Sequence, residues 1–174
     1  MTVLETDRLV LSRLDRDDAA FILELVNEPA WLRHIGDKGV RTLDDARGYI
    51  ENGPVEMYGR LGFGLYLVAL KGTGVPIGIC GLIKREALAD VDLGFAFLAR
   101  SWGHGYAFEA AAAVVAYGTR TLGPGRVLAV TAQENHASMK LLDKLGFRFE
   151  RLVRLAADGP EVRLYACGAV GRDG

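Results

Sequence analysis

Two short clusters in this 174-residue chain combine residue types and spacing that could do chemistry. The first is Arg100-Ser-Trp102-Gly103-His104-Gly105-Tyr106-Ala107. Two glycines at i and i+2 let a backbone approach a ligand with no Cβ in the way. They stand just before Phe108-Glu109 and four consecutive alanines, Ala110 to Ala113, which predict a helix. The first N–H groups of a helix lack partners within it and carry partial positive charge, so the turn suits an anion such as a pyrophosphate. The second cluster is Asn135-His-Ala-Ser138-Met-Lys140, which runs on to Leu145-Gly146-Phe147. Asn135 and Ser138 stand three apart, so they share the first turn of a helix and can face one ligand. Taken singly, each feature also has a plain structural reading. Gly103-His104-Gly105 makes a tight packed turn, Asn135 an N-cap, and Arg100, His104 and Lys140 solvated side chains. Neither cluster is a dinucleotide fingerprint, because the position three after Gly105 is Phe108, and no phosphate loop of the Gly-x-x-x-x-Gly-Lys-Ser/Thr type occurs.

Strands must deliver both clusters. Val91–Leu98 alternates apolar and small or polar residues and reads as the central strand leading into the glycine turn. Arg126–Ala132, apolar almost throughout, reads as an interior strand leading to Asn135. Upstream, Arg8–Leu14 reads as the first strand, and Asp15–Asp18 as the start of a helix that Pro29 ends. The segment 30–40 is loop or short helix, and Thr42 caps a helix that Gly53-Pro54 stops. Residues 62–71 and 77–84 form a hairpin, and a short connection then makes a meander into the central strand. Gly123-Pro124-Gly125 is a break. Asn135 opens a helix that closes at Gly146, and residues 147–155 and 162–167 form a last hairpin. These readings predict one α+β domain over residues 1–170, with a mixed, mostly antiparallel seven-stranded sheet and a frayed tail over 171–174.

Composition narrows the function classes. Half the residues are hydrophobic, a quarter are charged and the net charge is −1. That balance gives no basic field for nucleic acid. No apolar run is long enough to span a bilayer, and the start has no signal-peptide character, so a cytoplasmic protein without membrane or nucleic-acid partners is expected. Cys80 and Cys167 read as buried thiols rather than a disulfide framework, and no metal is expected.

The combination Arg100-x-x-Gly103-x-Gly105-x-Ala107, then Asn135-x-x-Ser138 ending in Leu145-Gly146-Phe147, resembles the two acyl-CoA-binding motifs of the GNAT family of N-acetyltransferases. Trp102, Tyr106 and Glu109-Ala110 bring it near the subgroup that includes the ribosomal-protein N-terminal alanine acetyltransferases. The resemblance implies that the two parallel central strands splay apart, with helices on both faces of the sheet. It implies that Phe97 and Leu98 border the pantetheine arm, and that Arg100, Trp102, Gly103, His104, Gly105, Tyr106 and Ala107 surround the pyrophosphate. Asn135, Ser138 and Lys140 would complete the acetyl-CoA site.

The implied reaction is direct acetyl transfer to a primary amine, on a small molecule or a protein N-terminus, in a ternary complex. An amine is mostly protonated at neutral pH, so the reaction needs a base. Asp92 is the first choice, because relatives often carry an acid before the Leu-Gly of this strand, and Glu134 is the second. Many relatives also place a tyrosine, as general acid, where this chain has Leu142; Ser138 is the substitute. Trp31, His34, Met57 and Tyr58 are candidates to line the acceptor site, and a homodimer is compatible with the family. The alternatives are a noncatalytic acyl-CoA sensor and, less well matched, a nucleotide-binding oxidoreductase.

Overall fold

The computed structural model describes residues 1–123 and 125–168. Among these residues the sheet has eight strands: β1 (Thr2–Glu5), β2 (Leu9–Arg13), β3 (Leu65–Leu70), β4 (Pro76–Ile83), β5 (Asp92–Phe97), β6 (Val127–Ala132), β7 (Arg148–Arg154) and β8 (Glu161–Cys167). They lie in the order β1-β2-β3-β4-β5-β6-β8-β7. Every pairing is antiparallel except β5 with β6. The expected meander, terminal hairpin and parallel central pair are all present. The sheet gains one strand over the seven expected, because Thr2–Glu5 pairs with β2 ahead of the strand read as first. Four residues ending in Glu carry too little alternation to register as a strand, and pairing to a longer neighbour is what orders them.

Among the described residues six α-helices flank the sheet: α1 (Ala19–Leu25), α2 (Pro29–His34), α3 (Leu43–Ile50), α4 (Glu56–Leu61), α5 (Tyr106–Leu122) and α6 (His136–Lys144). Two signals taken as helix stops act otherwise. Pro29 opens α2 as its first residue. That position suits proline, since its fixed φ is already helical and its missing N–H would have had no partner there. Pro54 lies buried inside a five-residue π turn, Glu51–Val55, which carries the chain from α3 straight into α4. The wider turn absorbs the proline without ending the helical path. Thr42 caps α3 as expected, its hydroxyl accepting from Asp45 N while the Asp45 carboxylate accepts from Thr42 N.

Side chains on opposite faces of the strands feed two cores. Leu93 and Phe97 pack with Ala110, Ala111 and Val114 of α5 and Leu142 of α6. On the other face Ile79 packs with Phe21 and Ile22 of α1, Trp31 of α2 and Ala46 and Ile50 of α3. No helix among the described residues is long and apolar enough to cross a membrane. Pro124, the tail 171–174 and the domain limit at 170 lie outside the described residues.

Candidate active site

The parallel pair β5/β6 is joined at one point. Asp92 stands opposite Leu128, and Leu128 N donates to Val91 O at 2.9 Å. Beyond that bridge the strands separate. Leu98 N donates to Ile77 O, so even-numbered residues of β5 face β4 and odd-numbered ones face β6. The N–H and C=O of Phe95 and the N–H of Phe97 therefore line the gap, with no backbone partner in β6 among the described residues. The Phe97 carbonyl is taken by the indole of Trp102 at 2.9 Å. That bond holds Trp102 across the strand end, although the residue remains 54% exposed.

At the open end of the gap the chain makes a 3-10 turn, Ala99–Ser101, and then the glycine turn into α5. Gly103 and Gly105 both take left-handed conformations, φ 82° and 80°. An added Cβ at Gly103 would meet nothing within 4 Å, and one at Gly105 would approach Arg8 Nη2 at 3.4 Å. The space above the turn is open, and a side chain there would intrude on it. Gly105 is the N-cap of α5 and has no side chain to satisfy the first helical N–H groups. Those groups therefore have no side-chain cap, the condition an anion-binding helix N-terminus requires.

Arg8, which the sequence did not single out, sits beside this turn. Its Nη1 donates to His104 O at 2.9 Å, its Nε to Glu109 Oε1 at 2.7 Å, and its guanidinium lies 4.5 Å from the Tyr106 ring centroid. Burial would raise the Glu109 carboxyl, but hydrogen bonds from Thr6 and Arg8 outweigh it and hold it below its ordinary pKa. The partners lie about a hundred residues apart, so no local pattern could have revealed them. Arg100 is turned elsewhere: it pairs with Glu24 of α1, and Glu28 accepts from Ala99 N at 2.7 Å. Those contacts fasten the turn to the helical layer.

Asn135 caps α6, its side chain accepting from Ser138 N at 3.2 Å. Ser138 is half-buried on the same turn and Lys140 is exposed. Leu142 lies in the core at 1% exposure, so the position of the missing tyrosine is filled by packing. Cys80 is wholly buried, and burial pushes its thiol well above the ordinary range.

The two candidate bases have opposite settings. Asp92 is 0% exposed and receives Arg85 Nη2 at 2.7 Å and Nε at 3.1 Å. Burial raises its carboxyl above the usual value, and the Arg85 hydrogen bonds pull it partway back. It lies at the bridge, at the closed end of the gap. Glu134 follows β6 at the open end, with its side chain 61% exposed and Oε1 3.7 Å from His34 Nδ1. Met57 lines an open cleft of about 620 Å³, together with Val40, Tyr49, Asn52, Leu65 and Ile83. Tyr58 is instead a core pin, accepting from Leu14 N at 3.1 Å and donating to Leu65 O. Among the described residues no group of three or more His, Cys, Asp or Glu could hold a metal ion.

A splayed parallel pair ending in a glycine turn and a helix N-terminus is the arrangement that the resemblance to acyl-CoA-dependent transferases implied, and comparison with known proteins gives the family. The family model of the acetyltransferase (GNAT) domain matches residues 8–148. YkkB of Bacillus subtilis, an uncharacterized protein, is 30% identical over 156 residues, covering 88% of this chain and 89% of its own length. The uncharacterized N-acetyltransferase YoaA of the same organism is 29% identical over 87% of this chain and 86% of its own. An acetyltransferase from Agrobacterium tumefaciens superposes with a TM-score of 0.80 at 24% identity, over 96% of this chain and 94% of its own. The ribosomal L7/L12 α-N-protein acetyltransferase RimL, solved with coenzyme A, superposes at 0.81 with 18% identity over 97% and 98%. The chain belongs to the GNAT acetyltransferase family.

Proposed function

We propose that this protein transfers the acetyl group of acetyl-CoA directly to a primary amine. The single observation that carries the reading is the continuity of the site. Unpaired backbone groups of Phe95 and Phe97 run straight to a turn of two left-handed glycines at the head of α5. A pantetheine arm is an extended chain with amides, and it can complete a strand edge as a third strand would. Its pyrophosphate then meets the free N–H groups of Gly103 to Ala107, with the Arg8 guanidinium alongside. Asn135 and Ser138 approach from the other strand, with Ser138 available to donate to the departing sulfur and Lys140 to reach a phosphate. No acyl-enzyme on Cys80 fits a thiol sealed in the core and held protonated.

Acceptors of two kinds fit, a small-molecule amine entering by the cleft beside Met57 and a protein N-terminus. The second is the acceptor carried in the name of RimL. A cytoplasmic location follows from dependence on acetyl-CoA. Of the two carboxylates considered for proton removal, Asp92 is sealed against Arg85 and cannot reach an amine, whereas Glu134 borders the open end, where a base must act.

One observation favours a second reading, a sensor that binds acyl-CoA without turnover: Leu142 packs in the core where a tyrosine acid would stand. A thiolate leaves readily, so a hydrogen bond from Ser138 suffices and the enzyme reading is preferred. Release of free thiol from acetyl-CoA across a panel of primary amines tests it. Turnover on at least one amine is expected. Calorimetric binding of acetyl-CoA with no thiol release on any amine would make the protein a sensor.

A further inference from the structure

Helix α2 carries two ring nitrogens one helical turn apart, Trp31 Nε1 and His34 Nδ1, both buried and both without a hydrogen-bond partner among the described residues. Trp31 is only 5% exposed, so its indole N–H has no water to turn to. A buried donor left unmade costs about 1–3 kcal/mol. Such a cost is tolerated where a ligand supplies the acceptor. Three residues apart, the two rings project from one face of the helix. That face meets the open end of the β5/β6 gap, because His34 Nδ1 lies 3.7 Å from Oε1 of Glu134, two residues past the end of β6. His34 keeps 16% of its side chain exposed although Nδ1 is buried, so the accessible part of the ring is its other edge.

We infer that His34 is the catalytic base of the proposed acetyl transfer, with Glu134 holding its ring. The inference rests on the acetyltransferase reading and supplies its proton path. A carboxylate beside Nδ1 selects the tautomer with its hydrogen on that nitrogen and leaves the Nε2 lone pair free. The present separation is longer than a hydrogen bond; such contacts often tighten to about 3 Å only when reactants bind. In the reaction Nε2 takes a proton from the bound ammonium and passes it to water, which frees the nitrogen lone pair to attack the thioester carbon, and a second proton moves from nitrogen to Nε2 as the tetrahedral intermediate collapses. The C–N bond forms, the C–S bond breaks, and sulfur leaves with the bonding pair as the CoA thiolate. The imidazolium then returns the proton to the thiolate or to water.

The test uses the full chain with acetyl-CoA and the best acceptor from a panel of polyamines, aminosugars and short peptides with free α-amines, following thiol release. His34→Ala is expected to lower kcat by roughly 10²-fold or more, the usual worth of a general base. Acetyl-CoA affinity by calorimetry should stay within about twofold, and added imidazole should restore part of the rate. His34→Gln, which keeps the volume, should be equally slow. Glu134→Gln should lower kcat about tenfold in the wild-type background and change nothing further in the His34→Ala background, as a residue acting only through His34 must. Folded His34 variants that keep wild-type kcat, or a Glu134→Gln loss that persists in full without His34, would overturn the assignment and leave the transferase reading standing. Wild-type protein that binds acetyl-CoA yet acetylates no amine would overturn both.

Discussion

The strands β5 and β6 share one sheet, but their two ends are built in opposite ways. At the closed end Asp92 is sealed, Arg85 grips it with two nitrogens, and Leu128 packs with Leu88 and Leu164 in a small separate core. At the open end backbone groups go unpaired, Trp102 lies across the surface, and His34 faces Glu134 at 3.7 Å with an unsatisfied nitrogen. The closed end satisfies its polar groups internally, and the open end leaves them for something else. A splay needs both: the bridge at Asp92 fixes the angle from which the gap opens. A carboxylate therefore has different surroundings at each end: Asp92 is braced by Arg85 at the bridge, and Glu134 stands half-open beside His34, whose ring it holds in the proposed reaction.

The largest effect should come from unbracing the closed end. Arg85→Ala strands a buried carboxylate and is expected to cost about 3–5 kcal/mol in urea unfolding at neutral pH. Because burial already holds the Asp92 carboxyl above its ordinary value, the folded state binds that proton more tightly than the unfolded chain does. Stability from this group therefore falls as pH rises through the window between the ordinary and the raised value. The variant widens that window, so its deficit should shrink as pH is lowered. A loss that is small and independent of pH would mean that the pair does not brace the bridge.

Next in size is the turn at the open end. Gly105→Val sets a β-branched residue at φ 80°, where a left-handed conformation costs roughly 1–2 kcal/mol, and fills the space above the turn. Acetyl-CoA affinity should fall at least tenfold by calorimetry, and unchanged affinity in a folded variant would remove the turn from the site. Asn135→Ala should cost about 1 kcal/mol of stability through loss of its cap. It should also weaken CoA use. Stability lost with wild-type kinetics would leave the cap as its only role.

The smallest effect belongs to Glu109. Its carboxyl is held below the ordinary value by Thr6 and Arg8 despite burial, so its contribution is complete above the unfolded pKa and is lost as pH falls through the lowered one. Glu109→Gln should flatten that acid limb of the stability curve, and an unchanged limb would refute the contribution.

What the sequence made legible was local. Gly103-His104-Gly105 before an Ala-rich helix, and Asn135 three before Ser138, are contiguous signals, and both formed the expected turn and cap. The splay itself was visible only through family resemblance. The rest depended on contacts across the chain. Arg8 reaches Glu109 over 101 positions and His34 reaches Glu134 over a hundred, so neither pair has a spacing to read. Asp92 illustrates the same limit: its position before Leu-Gly suggested a base, while its burial and its grip by Arg85 emerge only in three dimensions. Local rules also misled where tertiary packing chose between two uses of one residue, as at Pro29 and Pro54.

In the proposed reaction acetyl-CoA fills the gap at the open end and leaves the closed end untouched. Amide hydrogen exchange read residue by residue, with and without CoA, tests it most directly. New protection is expected at Phe95 and Phe97 and across Gly103 to Ala107, with no change at Leu93 or Leu128. Protection that spared Phe95 and Phe97, or that appeared first at the Asp92 bridge, would contradict it.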